Sequence, residues 1–404
     1  VKKEYASPRK TKIKDEITEI KIDTSVMIPK EDVIVVITKD GYIKRTSLRS
    51  YQASQDDVTL KDNDYVLGLY ELNTQDTILL FTNLGNYLYV PVHIIPDIKW
   101  KEIGKHISNV IKLDESEEII SAIPVYSFDI PNDIVIATKN GMIKRTNLSE
   151  FQVKRYTAPI SCMKLKDNDE VINAFLCTDD DILVATDGNY GLWFDKDDIP
   201  VVGIKASGVK SIKLKNDNVV SVNNFNPTKC DYLLVVTDKG TGKRIKISEF
   251  EKTSRANRGL LLLREVKTNP YHTIKTFVIN QKEHIGIKNP DISILKASEI
   301  PIMDRYSTGS TISKFDIIDA FKVFELKAKD DQDNNDTLEN NLEEKENDIS
   351  NLETASDITE KILIATKEEK KSAPKKDDKK ENNKVSLKEI DDRLMTIDDF
   401  LGDF

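Results

Sequence analysis

Two eleven-residue phrases in this chain, one hundred residues apart, are nearly the same: Thr38-Lys-Asp-Gly-Tyr-Ile-Lys-Arg-Thr-Ser-Leu48 and Thr138-Lys-Asn-Gly-Met-Ile-Lys-Arg-Thr-Asn-Leu148 agree at eight positions. Each follows an apolar run rich in β-branched residues (Val33 to Ile37, Ile134 to Ala137), turns at Asp-Gly or Asn-Gly, and returns through Lys-Arg. That is a β-hairpin whose turn needs positive φ, a conformation glycine adopts without a Cβ clash. One hairpin cannot bury its own faces, so a recurring hairpin constrains the fold to an array of stacked units.

Looser copies extend the array. Ile78 to Thr82 leads to Gly85, Ile182 to Thr186 to Asp187-Gly188, and Tyr232 to Thr237 to Lys239-Gly240, so the turn glycines Gly41, Gly85, Gly141, Gly188 and Gly240 are spaced by 44, 56, 47 and 52 residues. A degenerate sixth unit is expected over Ile274 to Phe324, with strands Thr276 to Ile279 and Ile317 to Val323 flanking Gly286. A second refrain, Leu60-Lys-Asp-Asn-Asp-Tyr-Val66, returns as Leu165-Lys-Asp-Asn-Asp-Glu-Val171 and more weakly as Leu214-Lys-Asn-Asp-Asn-Val219. It reads as a polar turn that opens the last strand of a unit. Periods of this length with several short strands each mark propeller blades, which close radially and hide their edges. The expected fold is all-β: a six-bladed, propeller-like β-pinwheel of four-stranded blades over residues 32–326, after a connector at 1–31 and before a tail at 327–404.

Charge separates the tail from the blades. Residues 327–404 carry 23 Asp and Glu against 14 Lys and Arg, a net of −9, which leaves 46 acids and 46 bases in residues 1–326. The tail has too few apolar residues to offset its ordering entropy and is expected to be disordered and low in complexity. Only Ile390 to Phe404 has helical spacing, with Leu394, Ile397, Leu401 and Phe404 about one turn apart. The chain opens on Val1, as expected of a piece of a longer protein. It shows no signal peptide and no apolar stretch long enough to span a membrane, so a cytoplasmic location and no membrane partner are expected. The three cysteines, Cys162, Cys177 and Cys230, lack metal-ligand spacing and read as reduced and buried.

The cations recur in register. Lys44-Arg45, Lys144-Arg145 and Lys243-Arg244 fall three and four residues after their turn glycines, whereas the second and fourth units carry Leu88-Tyr89 and Gly191-Leu192 there. Loops add Lys154, Arg155, Lys205, Lys210, Lys213, Lys252, Arg255 and Arg258. Solubility and edge protection account for single basic residues. They require no register, whereas a rim of evenly placed cations that follows a duplex backbone does, and neutralising phosphates supplies affinity without sequence preference. Catalytic constellations are missing: His93, His106, His272 and His284 are scattered, and Gly203-Ile-Lys-Ala-Ser-Gly208 lacks the Walker pattern. The chain reads as a binding module with no catalytic residue, metal site or cofactor of its own.

These blades resemble the C-terminal DNA-wrapping domain, or β-pinwheel, of the A subunits of bacterial type IIA topoisomerases, over roughly Tyr5 to Leu326. The resemblance rests on Gly41-Tyr-Ile-Lys-Arg-Thr46, Gly203-Ile-Lys-Ala-Ser-Gly-Val-Lys210 and Arg255-Ala-Asn-Arg-Gly259, with Glu4 to Ile13 similar to the connector from the catalytic core and Ile28 to Val33 similar to the approach to blade one. Gyrase carries a Gln-Arg-Arg-Gly-Gly-Lys-Gly box after the first blade's Tyr; here Tyr51 is followed by Gln52-Ala-Ser-Gln-Asp-Asp57, without a base. Pro91 to His106 is similar to the same stretch of the topoisomerase IV A subunits of Gram-positive bacteria, so that branch is favoured over gyrase. The resemblance implies a domain that binds and bends duplex DNA to help present the transported segment for ATP-dependent strand passage, in decatenation and supercoil relaxation. It implies the B subunit of topoisomerase IV and a second A subunit as partners, ATP and Mg2+ held by other domains, a nucleoid-associated location, and a catalytic core upstream of this chain. The rival classes are a gyrase wrapping domain with a degenerate box and a propeller that serves as a protein-interaction scaffold.

Overall fold

The structure is a computed structural model and describes residues 28–54, 57–166 and 168–324. The tail, with its helically spaced end, and nearly all of the connector lie outside the described residues, as does part of Gln52 to Asp57.

Strands β1 (Asp32–Thr38), β2 (Tyr42–Ser47) and β3 (Val66–Asn73) form the first unit. β4 (Thr77–Thr82), β5 (Asn86–Pro91), β6 (Lys105–His106) and β7 (Ile119–Val125) form the second, and β8 (Asp133–Thr138), β9 (Met142–Asn147), β10 (Ile160–Ser161) and β11 (Val171–Leu176) the third. β12 (Asp181–Thr186), β13 (Tyr190–Asp195), β14 (Val209–Lys210) and β15 (Val219–Phe225) follow as the fourth, then β16 (Tyr232–Thr237), β17 (Thr241–Lys246), β18 (Leu260–Leu261) and β19 (Thr273–Ile279) as the fifth. The sixth holds β20 (His284–Lys288), β21 (Ile292–Lys296), β22 (Ser310–Thr311) and β23 (Asp319–Lys322).

Units and blades do not coincide. The sheets run β3-β1-β2-β6, β7-β4-β5-β10, β11-β8-β9-β14, β15-β12-β13-β18, β19-β16-β17-β22 and β23-β20-β21. Each of the first five blades therefore takes its outer strand from the unit that follows it. Among the described residues the sixth has no donor and keeps three strands. Within these sheets the described strands pair antiparallel, and the refrain opens β3, β11 and β15 at Val66, Val171 and Val219, as expected.

The first hairpin strand of each of the first five blades is sandwiched, and its side chains serve two cores. Val35 and Ile37 of β1 pack with Ile78 and Leu80 of β4, whereas Leu79 and Phe81 on the opposite face of β4 pack with Ile134 and Ile136 of β8. The same sharing joins blades three to four, four to five and five to six. This explains why these strands are apolar without alternation: both faces are buried. A polar layer on the inner strands adds to the junctions. Ser121 Oγ donates to Ala174 O, Asn173 Nδ2 to Val222 O at 2.8 Å, and Ser221 Oγ meets Thr276 Oγ1 at 2.6 Å. The junction from blade six to blade one differs. Its contacts are a stacked Tyr65–Phe321 pair at 3.8 Å, Tyr65 Oη donating to Asp319 at 2.8 Å, and Lys288 Nζ donating to Asn63 O at 2.8 Å.

Three expectations need correction. In the fourth hairpin the positive φ sits on Asn189 (65°), not Gly188, so the register advances by one and Leu192-Trp193, rather than Gly191-Leu192, match Lys-Arg. Gly286 is no turn glycine; it lies inside β20, where a Cβ would meet the Phe321 ring. Thr276 to Ile279 belongs to the inner strand of blade five.

Candidate nucleic-acid interface

The donated strands create a second feature, the strap. After its second hairpin strand each unit from the second to the sixth makes a tight turn, doubles back over the preceding blade and ends in the donated strand. Arg45, Arg145 and Arg244 each grip the strap twice through the backbone: the N–H groups donate to Pro96 O, Pro200 O and Pro301 O, and the carbonyls accept from Ile98, Val202 and Met303. Beyond that point the strap bulges and re-enters through a glycine pressed against the hairpin, so that a Cβ on Gly208 would lie 2.4 Å from Ile143 O. The bulge turns several strap carbonyls towards the hairpin, and a carbonyl withdrawn from water without enough donors is costly.

The lysines of the Lys-Arg pairs fill that need. Lys44 Nζ donates to Trp100 O and Glu102 O, both at 2.7 Å. Lys144 Nζ donates to Gly203 O at 3.2 Å and Ile204 O at 2.6 Å, and Lys243 Nζ to Asp304 O, Arg305 O and Ser307 O at 2.7, 3.2 and 2.8 Å. All three are buried, at 2%, 0% and 0% exposure. Burial lowers each pKa to about 8, opposed by nearby carboxylates at Glu102, Glu150 and Asp304 respectively. The arginines close the turn before the strap: Arg45 Nη1 reaches His93 O at 3.2 Å, Arg145 Nε Ile199 O at 2.9 Å, and Arg244 Nε Ile300 O at 2.7 Å. The structure thus places Lys44, Arg45, Lys144, Arg145, Lys243 and Arg244 inside the strap rather than on an exposed rim. The register is real, but it repeats because the strap repeats. Blades two and four seat their straps on Leu88-Tyr89 and Leu192-Trp193, with Tyr89 stacked on Tyr156 at 5.7 Å.

The loop cations divide into two groups. Lys154 and Arg155, in the strap of blade two, and Lys205, Lys210 and Lys213, along the strap of blade three, are exposed. Among the described residues their side chains make no hydrogen bond or ion pair. In the strap of blade four, Lys252 is bound by Asp181 and Asp195 and Arg258 by Asp217, while the Arg255 guanidinium donates to the backbone carbonyls of Asp198 and Lys210 and its backbone N–H to the Asp198 carboxylate. Residue-by-residue reading missed further exposed strap lysines: Lys99 and Lys105 on blade one, Lys164 and Lys166 after β10, and Lys215 after β14. Their shared signal is position between the hairpin and the inner strand, which only the strand exchange defines. The exposed, unpaired bases of these straps form an arc over blades one to three.

Nothing else in the described residues suggests chemistry. No group of His, Cys, Asp or Glu has the geometry of a metal site, and no helix is long and apolar enough to cross a membrane. Cys162 and Cys177 are buried free thiols, burial pushing Cys162 up to about 12, and Cys230 is half-buried.

Comparison with known proteins then decides the lineage. The family model described as the DNA gyrase C-terminal domain, beta-propeller, matches residues 32–72, 76–125, 132–178, 180–226 and 231–279. The chain belongs to this family. Its five matched segments are the first five hairpin-plus-inner-strand units above. Over 314 residues it is 44% identical to the A subunit of DNA topoisomerase 4 from Bacillus subtilis, and over 317 residues 39% identical to that of Staphylococcus epidermidis. Each alignment covers 77% of the chain but only 39% of the relative, so the chain spans well under half of these proteins. The crystal structure of the C-terminal domain of DNA topoisomerase IV superposes with a TM-score of 0.70 at 42% identity, over 74% of this chain and 94% of that one. A DNA gyrase A C-terminal domain shares the fold at 21% identity, with a TM-score of 0.55 over 73% of this chain and 100% of that one.

Proposed function

We propose that this chain binds duplex DNA through its phosphates, along the straps of blades one to three, as the C-terminal part of the A subunit of a topoisomerase IV. The observation that carries this reading is the run of exposed, carboxylate-free bases Lys154, Arg155, Lys205, Lys210 and Lys213 on two adjacent straps. Such cations release condensed counterions when they meet phosphates, and so give affinity that falls steeply with salt and is indifferent to sequence. An arc over part of the rim fits a duplex that is bent rather than fully wrapped. Bending a site of 20 to 30 base pairs costs on the order of 1–6 kcal/mol, which several phosphate contacts offset. In the whole enzyme this grip would help present the transported duplex, with strand cleavage in a core upstream, ATP and Mg2+ held by other domains, and the B subunit and a second A subunit as partners.

A scaffold reading has one observation in its favour: Ile294, Ile302 and Tyr306, on blades five and six, are 60%, 43% and 65% exposed. Titrating the chain with short duplexes of unrelated sequence over a salt series separates the two. DNA binding predicts similar affinities for all duplexes and a linear fall of log K with log salt. Negligible affinity at low salt would leave the scaffold reading.

A further inference from the structure

The fourth blade carries three strap bases, Lys252, Arg255 and Arg258, as blade three carries Lys205, Lys210 and Lys213, yet it ties them to neighbouring groups. Lys252 Nζ lies 2.7 Å from both Asp181 Oδ1 and Asp195 Oδ2. The Arg255 N–H donates to Asp198 Oδ2 at 3.0 Å and its Nε to Asp198 O at 3.0 Å, while Nη1 donates to Lys210 O. Arg258 Nη1 lies 2.9 and 2.8 Å from the two Asp217 oxygens, and its guanidinium sits 3.8 Å from the centre of the Tyr190 ring. Three carboxylates, those of Asp181, Asp195 and Asp217, thus face Lys252 and Arg258, and a fourth, that of Asp198, takes the backbone N–H of Arg255; each occupies a place where a donor would meet a phosphate oxygen.

These acids are of two kinds. Asp181 and Asp217 are buried, with side chains 10% and 3% exposed, and they belong to the body of the blade. Asp195 is 41% exposed and Asp198 is exposed, so their contacts are made in water, where an ion pair is weak and exchangeable. Lys252 holds the Asp195 carboxyl below the usual carboxylate range, which keeps it charged. No comparable acids bind Lys154, Arg155, Lys205, Lys210 or Lys213.

We infer that Asp195 and Asp198 act as built-in stand-ins for phosphate on the fourth blade, so that a bound duplex engages blades one to three and stops there. The inference rests on the DNA-binding reading above. It assigns these two aspartates the role of limiting the length of the contact and, through it, the bend. A duplex phosphate approaching Lys252 or Arg255 competes with a tethered carboxylate already in place, and the local surplus of negative charge repels it.

The test is the double substitution Asp195→Asn and Asp198→Asn in this chain. Asn keeps the acceptor oxygen, including the one that Asp195 offers to the Asp197 N–H at 2.9 Å. It leaves Lys252 with Asp181 as its one carboxylate and replaces the charged acceptor on the Arg255 N–H by a neutral one. Against a duplex long enough to reach blade four, the log-log salt slope is expected to steepen by about 0.9 to 1.8, the value for one to two added phosphate contacts. A doubly end-labelled duplex is expected to report a larger bend. The control is Asp291→Asn with Asp316→Asn, two exposed acids away from the straps of blades one to four whose side chains hold no cation among the described residues; it removes the same charge and is expected to leave the slope unchanged. A wild-type slope in the D195N/D198N chain, or an equal steepening in the control, would overturn the inference while leaving DNA binding in place. Failure of the unaltered chain to bind any duplex at low salt would remove both readings together.

Discussion

Blades three and four solve the same packing problem with opposite chemistry. Each must seat a strap from the next unit against its second hairpin strand, at the same two positions. Blade three uses Lys144, spent on strap carbonyls, and Arg145, shared between the Ile199 carbonyl and the Asp197 carboxylate; blade four uses Leu192-Trp193, with Trp193 Nε1 bonded to Asp181 at 2.6 Å. Outside the strap the contrast is reversed in effect, since blade three leaves Lys205, Lys210 and Lys213 unbound and blade four locks Lys252, Arg255 and Arg258 to aspartates. A cation in perfect register can be structural, while one outside that register can stand exposed on the strap. What separates them is whether the surrounding backbone leaves carbonyls to satisfy.

The largest effect that would break this comparison is on binding. Replacing Lys154, Arg155, Lys205, Lys210 and Lys213 together by Ala should lower duplex affinity by orders of magnitude at low salt and flatten the slope by about 0.9 for each phosphate no longer neutralised. Urea unfolding should shift by no more than about 0.5 kcal/mol per substitution, as for solvated surface positions. An unchanged slope would move the interface off these straps.

Next in size is stability. Lys144→Ala takes the ammonium donor away from the Gly203 and Ile204 carbonyls, so unfolding should become easier by about 1.5–3 kcal/mol, the range for a hydrogen bond to a charged group. The DNA salt slope of the folded variant should not change. A weakened slope at undiminished stability would return Lys144 to the interface, where the sequence had placed it.

The smallest effect is the pH dependence of the buried lysines. Their folded pKa of about 8 lies below the unfolded value, so between those limits the unfolded chain binds more protons. The stabilisation is complete above the unfolded pKa and is lost as pH falls through about 8. Urea midpoints should therefore rise as pH is raised from about 8 towards 10, and Lys144→Met should reduce that rise. A flat profile shared by both chains would mean that the strap carbonyls hold these ammonium groups charged throughout.

Much of the architecture could be read from one dimension. Thr38 to Leu48 and its echo at Thr138 to Leu148 announce a hairpin array, because a turn that requires positive φ and a strand buried on both faces each leave a local mark on residue type. The refrain placed the starts of β3, β11 and β15 for the same reason, with Asn63, Asn168 and Asn216 all at positive φ. The open outer edge of β21 and the exchange of outer strands left no such mark. Two-residue strands such as Lys105–His106 and Val209–Lys210 have no periodicity to detect, and their partners lie some sixty residues away.

The site divides along the same line. By itself the sequence determined that cations recur with the blades and that the blade region is balanced in charge, since both are properties of residue order. Only the tertiary structure decided which cations face solvent. Lys144 and Lys205 are alike as side chains, but one ends among carbonyls that a strap from the next unit has turned inward, and the other stands on the outside of that strap. Whether a charge is spent on the fold or left for a ligand depends on desolvation and on partners distant in the chain, and neither is encoded in spacing.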